Sequence, residues 1–159
     1  MKGYANSDLL TTPDELQKAL NGATPPLVID LRPPEDFAIG HIPGAVHLDL
    51  WGVSLIDTDP APLKAFMWMI DHLLNLRGVN ESTPVVVYDE QSGVRAARAF
   101  WFLEYFGHPS VRLLDGGFGA WTRACQRLDG WTRRGTCRHV ARRARCAVEE
   151  GCRAPRCAQ

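Results

Sequence analysis

Apolar residues recur along the first 124 residues in short runs that are typical of β-strands. Mainly apolar segments at residues 27–29, 46–48, 84–88 and 111–114 each stop at turn-forming or charged residues, and we expect each of them to form a strand. The segment 84–88 is apolar on both faces, as the central strand of a parallel sheet must be. The pattern predicts a parallel sheet with residues 84–88 near its centre.

Helical patterns separate these strands. The clearest covers residues 61–77, where apolar side chains fall three and four positions apart along one stripe. Thr12, followed by Pro13 and an acidic Glu15, is typical of a helix start. We expect further helices near residues 34–39, 94–106 and 119–123. Alternating strands and helices favour an α/β fold with helices on both faces of the sheet. In such sheets ligands bind beyond the carboxyl ends of the strands.

The loop after the central strand is therefore the place where we look for chemistry. It runs from Asp89 through Glu90 to Gly93, and it joins the strand to the start of a helix. Backbone N–H groups at a helix start form a natural binding site for an anion. Catalysis there would need a nucleophile such as a Cys thiolate, and this loop contains none. We favour the alternative that Asp89 and Glu90 themselves occupy the positive end of the helix.

Four segments resemble the rhodanese homology domain in their order and spacing, over about residues 5–124. They are VIDLR at 28–32, GHIPGA at 40–45, VVVYD at 85–89 and LDGGFGAW at 114–121. More narrowly, Tyr88-Asp89 followed by AARAFW at 96–101 and FGH at 106–108 resembles the N-terminal half of the tandem thiosulfate or 3-mercaptopyruvate sulfurtransferases.

The resemblance implies a parallel sheet of about five strands flanked by helices. It also implies transfer of a sulfane sulfur from a donor to cyanide or a thiol through a Cys persulfide, without a cofactor or a metal. In tandem members the nucleophile lies in the C-terminal domain, and Asp89 stands where a catalytic domain has Cys. The resemblance thus indicates a noncatalytic half whose partner is a missing C-terminal catalytic domain or another protein.

Arg32 and Arg98 are the basic residues that we expect to lie nearest a cleft, together with Asp89 and Gly93 of the loop. The alternative for both arginines, which we favour, is an ion pair with a nearby acid such as Asp30 or Glu104. His41 lies in a turn before Pro43, where a hydrogen bond that holds the loop is the favoured role. Four tryptophans are expected in the core or at a domain-docking surface, namely Trp51, Trp68, Trp101 and Trp121.

Charge divides the chain near residue 124. Residues 1–124 hold nine basic and fifteen acidic side chains, a net charge of −6, whereas residues 125–159 hold nine Arg and three acids, a net charge of +6. All five cysteines lie in the second part, at positions 125, 137, 146, 152 and 157. We predict a rhodanese-like domain over 1–124 and an irregular or disordered tail over 125–159.

Three interpretations of this tail stay open. The cysteines with His139 suggest zinc, although no Cys-x-x-Cys pair is present. The arginines suggest RNA binding without the aromatic side chains that such modules use. A frameshift explains more of the tail's composition. Bases that can encode residues 123–128 read Gly-Leu-Pro-Ala-Val in another frame, and this resembles the segment that leads tandem sulfurtransferases from the last helix to their second domain. The gene sequence beyond codon 124 decides this hypothesis.

The chain has a formal net charge of zero and no apolar run of about 20 residues that could cross a bilayer. Residues 1–8 lack the apolar stretch of a secretory signal. We expect a soluble cytoplasmic protein with neither a membrane nor a nucleic acid as its partner. A noncatalytic binding or domain-docking module is the alternative function. If the partner domain is missing, we expect its docking face to be an exposed apolar patch, with Trp51 as a candidate member.

Overall fold

The computed structural model describes residues 6–124 and 127–130, together with the backbone of residues 131 and 137–140. Its centre is a five-stranded sheet in which every neighbouring pair of strands is parallel. The strands are β1 (Leu10–Thr11), β2 (Leu27–Asp30), β3 (Val46–His47), β4 (Val85–Tyr88) and β5 (Val111–Leu114). They lie in the order β1-β5-β4-β2-β3, so the predicted central strand is in the middle.

Five helices cover the sheet, and a short 3-10 turn precedes β1. The helices are α1 (Pro13–Leu20), α2 (Pro34–Ile39), α3 (Pro60–Asn75), α4 (Val94–Tyr105) and α5 (Gly117–Arg123). The predicted start of α1 is confirmed, because Thr12 Oγ1 accepts a hydrogen bond from the Glu15 N–H and Glu15 Oε2 accepts one from the Thr12 N–H. This reciprocal pair satisfies two N–H groups that would otherwise lack a partner at the helix start.

Alternation along the strands divides the core into two layers. Ile29 of β2 and Val87 of β4 contribute to the layer formed with α3 and α4. Val28 and Val86, one position earlier in each strand, contribute to the opposite layer, which α1, α5 and residue Ile42 complete. Because both faces of the sheet are covered, the predicted α/β fold with a five-stranded parallel sheet and flanking helices is confirmed.

Strand β1 is absent from the sequence prediction. It has only two residues, and it pairs with Leu113 and Leu114 of β5, which lie about one hundred positions later in the chain. Two residues are too few to show a period, and nothing local in the sequence indicates so distant a partner.

Two more strands follow residue 124. They are β6 (Leu128–Trp131) and β7 (Cys137–Val140), which pair antiparallel. The Asp129 N–H donates to the His41 carbonyl at 2.8 Å, and the His41 N–H donates to the Asp129 carbonyl at 2.7 Å. The sequence predicted no strand here, and residues 127–131 lie against the domain. The remainder of the tail, including the side chains of the suggested zinc cluster and most of its arginines, lies outside the described residues, so the division at 124 stays a prediction.

Candidate functional site

The carboxyl ends of β2 and β4 bring three polar side chains together beneath the predicted site. Asp30 ends β2 and Tyr88 ends β4, and the two residues are register partners. The Tyr88 hydroxyl donates to Asp30 Oδ2 at 2.5 Å. Arg32 binds the same carboxylate through Nε and NH2, with NH2 at 2.7 Å from Oδ2. All three side chains are almost completely buried.

Burial and charge act on the pKa values of this cluster. Burial raises the pKa of Tyr88 well above its usual value, and the negative charge of Asp30 raises it further because it opposes a second anion. Burial by itself lowers the pKa of Arg32, but the hydrogen bonds and the charge of Asp30 outweigh it and raise the pKa overall. The cluster is therefore a protonated tyrosine, a carboxylate and a guanidinium that satisfy one another.

The loop after β4 folds around the carboxylate of Asp89. This carboxylate accepts hydrogen bonds from the N–H groups of Gly93 at 2.8 and 2.9 Å, Ala96 at 3.0 Å and Gln91 at 3.1 Å. Gly93 is the N-cap of α4 and Ala96 lies in its first turn, where the helix dipole favours a negative charge. Asp89 is 5% exposed. The anion-binding N–H groups of the loop are thus already occupied by a side chain of the loop itself.

The first turn of α5 holds this loop in place. The Phe118 N–H donates to the Asp89 carbonyl at 2.8 Å, and the Gly119 N–H donates to the Glu90 carbonyl at 2.9 Å. Gly117 has a φ of +57°, and a Cβ atom there would lie 2.5 Å from the Asp89 carbonyl oxygen. Only glycine allows so close an approach, so Gly117 fixes the distance between this turn and the loop.

Beside the loop lies a small cleft of about 210 Å³, lined by Arg32, Asp36, Glu90, Phe118 and Leu128, among other residues. The guanidinium of Arg32 lies 3.6 Å from the centre of the Phe118 ring. Its NH1 atom is 3.7 Å from Glu90 Oε2, and Glu90 is mostly exposed. Carboxylates and apolar side chains dominate the lining, and the charge of Arg32 is already shared with Asp30 and Glu90. The cleft is therefore not a strong binding site for an anionic sulfur donor.

The comparisons with known proteins agree with this arrangement of strands and loop. The model of the rhodanese-like domain family matches residues 12–124, which is most of the chain. The chain belongs to the rhodanese-like domain family. The match includes every strand of the parallel sheet except β1, which lies just before it, and it includes the whole Asp89 loop.

Several relatives of this rhodanese-like chain are sulfur-transfer proteins. It is 35% identical over 125 residues to the sulfur carrier protein TtuD of Thermus thermophilus, covering 75% of this chain and 41% of TtuD. It is 35% identical over 121 residues to the putative thiosulfate sulfurtransferase SseA of Mycobacterium leprae, covering 76% and 40%. It is 33% identical over 134 residues to a thiosulfate sulfurtransferase of Pseudomonas aeruginosa, covering 81% and 47%. The chain thus spans less than half the length of these relatives.

A solved structure gives the same picture. The crystal structure of SseA from Escherichia coli, described as a 3-mercaptopyruvate sulfotransferase with a rhodanese fold, matches with a TM-score of 0.60 and 28% identity. The match covers 77% of this chain and 51% of that one. The rhodanese-like domain is therefore homologous to thiosulfate and 3-mercaptopyruvate sulfurtransferases.

Within the rhodanese-like domain, the two predicted arginines lie in different surroundings. Arg32 forms the ion pair with Asp30 that the sequence offered as an alternative, and its NH2 also donates to the Gly40 carbonyl at 2.7 Å. Arg98 does not form the suggested ion pair with Glu104. It donates instead from NH1 to the Leu50 carbonyl at 2.9 Å and from NH2 to a second carbonyl in the same loop, so it fixes the segment between β3 and α3.

His41 has the structural role that the sequence favoured. Its Nδ1 lies 2.9 Å from the Phe37 carbonyl, and its ring stacks on the Phe37 ring with the centres 3.8 Å apart. Trp121 is completely buried, whereas Trp51, Trp68 and Trp101 are more than half exposed. Trp51 is thus exposed, whereas the apolar patch that was expected to include it stays a prediction.

Sequence reasoning missed one part of this site, the bond from Tyr88 to Asp30. A signal was present, since a tyrosine at the end of a fully buried strand needs a partner for its hydroxyl. Among the described residues, no group of three His, Cys, Asp or Glu side chains could hold a metal ion. In the same part of the chain, no helix combines the length and the apolar character that a membrane span requires.

Proposed function

We propose that this chain is the noncatalytic rhodanese-like unit of a thiosulfate or 3-mercaptopyruvate sulfurtransferase, and that it transfers no sulfur by itself. The observation that supports this function most directly is the carboxylate of Asp89, which occupies the N–H groups of its loop where a catalytic rhodanese-like domain would place a Cys thiolate. The whole enzyme would move a sulfane sulfur from its donor to cyanide or to a thiol.

The chemistry of the carboxylate explains the proposed inactivity. In the transfer, a thiolate attacks the sulfane sulfur of thiosulfate, the sulfur–sulfur bond of thiosulfate breaks, and sulfite leaves with the bonding electron pair. Asp89 has no sulfur atom that could hold the transferred atom as a persulfide. Its negative charge, with that of Glu90 beside it, also repels an anionic donor. The sequence has no cysteine before position 125.

The first test measures thiocyanate formation from thiosulfate, and from 3-mercaptopyruvate, in the presence of cyanide. We expect the purified chain to give only the background rate. A variant with all five cysteines replaced by Ser is the control, and it should give the same rate. Clear turnover by the wild-type chain that this variant loses would contradict the proposal, since it would place the reacting thiol in residues 125–159.

The second test restores a thiol at the loop. In Asp89→Cys the N–H groups of Gly93 and Ala96 would stabilise a thiolate, as helix starts do. After incubation with thiosulfate, we expect a mass increase of one sulfur atom at position 89, with Asp89→Ser as the unreactive control. Both variants are compared with the wild type by thermal unfolding. If folded Asp89→Cys takes up no sulfur, the loop is not related to a catalytic one and the proposal loses its main support.

A second candidate function is a noncatalytic binding or docking module. The exposed side chains of Trp51, Trp68 and Trp101 support it. The two functions differ in whether a second, catalytic domain accompanies this chain. The sulfurtransferase function predicts that a catalytic rhodanese-like domain, with Cys at the position of Asp89, is encoded with this chain. An alternative reading frame beyond codon 124 that encodes such a domain supports it, and the absence of any such frame favours the binding module.

A further inference from the structure

An apolar groove lies on the outer surface of the domain, and no residue of the Asp89 loop lines it. It runs between α3 and the end of α4 and has a volume of about 530 Å³. Its lining includes Lys64, Met67, Trp68, Asp71 and Tyr105. Trp68 is 66% exposed and Tyr105 is 58% exposed. Large apolar side chains that cluster on one surface mark an interaction site.

The charges on this surface are arranged symmetrically about the middle of α3. Lys64 and Asp71 both line the groove and are seven residues apart, so they lie on the same side of the helix, roughly 10 Å from each other. Met67 and Trp68 lie between them. The midpoint of Lys64 and Asp71 is also the midpoint of α3, which runs from Pro60 to Asn75. Among the described residues, Lys64 forms no ion pair.

This arrangement is self-complementary. When two copies of a helix pack antiparallel about a two-fold axis through its midpoint, residue 64 of one copy meets residue 71 of the other, and the reverse contact forms by symmetry. Both copies would then overlap along all of α3, and each lysine would meet an aspartate. A helix with two lysines or two aspartates at these positions would repel its own copy.

We propose that the α3–α4 groove is the contact surface for a second copy of this chain. Helix α3 packs antiparallel on α3 of the other copy, Lys64 and Asp71 form two ion pairs related by symmetry, and Trp68 inserts near the two-fold axis. The indole supplies the large buried apolar area that interfaces need at their centre, while the ion pairs fix direction and register.

The first experiment is sedimentation equilibrium of the full chain with a reducing agent, so that disulfides between tails do not contribute. We expect a monomer–dimer equilibrium at tens of micromolar protein. Trp68→Ala should weaken the dimer about tenfold or more. Trp51→Ala is the matched control, since Trp51 is also exposed but lies outside the groove. A wild-type monomer, or equal effects of the two substitutions, would overturn the proposal.

The second experiment exchanges the charges. In Lys64→Asp, each new aspartate faces Asp71 of the other copy. In Asp71→Lys, each new lysine faces Lys64 of the other copy. Because like charges then repel at both contacts, each variant alone should be monomeric. An equimolar mixture should form a heterodimer, because each contact then joins a lysine to an aspartate. The double variant should also recover the dimer.

Neither charge change should unfold α3, because the side chains that α3 buries are those of Ile70 and Leu74. Circular dichroism checks this. Failure of the mixture to associate, with both variants folded, would show that the antiparallel pairing is wrong. These results are independent of sulfur transfer, since no residue of the Asp89 loop is changed.

Discussion

The buried bond from Tyr88 to Asp30 links the two central strands at the edge where the site lies. The hydroxyl donates to the carboxylate and also accepts from the Ile42 N–H at 3.2 Å, so a single oxygen atom connects β2, β4 and the turn after α2. Removing the hydroxyl leaves a buried carboxylate oxygen with one donor fewer and a buried N–H without its acceptor. Unpaired buried polar groups are costly, which makes this residue sensitive to substitution.

Tyr88→Phe should lower the free energy of unfolding by about 1–3 kcal/mol at neutral pH. The folded-state pKa of Tyr88 is raised, so only the unfolded wild-type chain ionises this group as the pH rises above about 10. The stabilisation by Tyr88 is complete below that pH and decreases by about 1.4 kcal/mol per pH unit above it, until the raised folded-state pKa is reached. The difference between the wild type and the variant should therefore shrink at alkaline pH.

Urea unfolding at several pH values between 7 and 11 measures this difference. Tyr105→Phe is the control, since it removes the same atom from an exposed side chain. A difference between the wild type and Tyr88→Phe that stays constant up to pH 11 would contradict the raised pKa as the source of the stabilisation.

At the level of the elements, the first turn of α5 determines the shape of the Asp89 loop. Two N–H groups of this turn donate to the carbonyls of Asp89 and Glu90, and Ser92 of the loop donates from its hydroxyl to the carbonyl of Leu114. Loop and turn therefore form one unit. Gly117 is the point of closest approach within it.

Gly117→Ala should destabilise the protein by about 3 kcal/mol or more, because alanine is strained at positive φ and its Cβ would collide with three backbone atoms of the loop. Gly107→Ala is the matched control. Gly107 has a φ of +77°, but no atom lies within 4 Å of the position that an added Cβ would take. We expect this control to cost about 1–2 kcal/mol. Equal losses in thermal or urea unfolding would show that the close approach at Gly117 has no energetic weight.

The elements also show how far the sequence could predict the structure. The helix start at Thr12, the central position of β4 and the ion pair of Arg32 depend on local pattern or near neighbours, and all three were predicted correctly. The contacts of Arg98 were not, because its partners are backbone carbonyls of a loop nearly fifty residues away, and every residue type offers a carbonyl. Strand β6 was missed because residues 128–131 have no regular alternation, and its bonds to His41 depend on the tertiary fold.

At the scale of the whole molecule, residues 127–131 make contacts that help to stabilise the domain. Residue 127 accepts a hydrogen bond from Trp121 Nε1 at 2.9 Å, and the Asp129 carboxylate accepts one from the Gly44 N–H at 3.2 Å. Leu128 packs against the core layer that contains Trp121. A Cβ at Gly130 would lie 2.8 Å from the Ile39 carbonyl, so the backbone approaches α2 closely. These contacts make residues 127–131 an edge of the domain.

A chain that ends at residue 124 should therefore be less stable than one that ends at residue 140, by about 2–4 kcal/mol in urea unfolding. The shorter chain loses the backbone bonds to His41, the bond from Trp121 and the burial of Leu128. The chain that ends at 140 should match the full chain. Equal stability of the two shortened chains would show that the domain is complete at residue 124.

The position of β1 determines when this molecule can finish folding on the ribosome. Its partner in the sheet is β5, so residues 10 and 11 are synthesised about one hundred residues before their hydrogen-bonding partners. At ordinary rates of translation that interval is about 5–20 s. During this time residues 10 and 11 have no strand to pair with, so β1 can join the sheet only after β5 has been made.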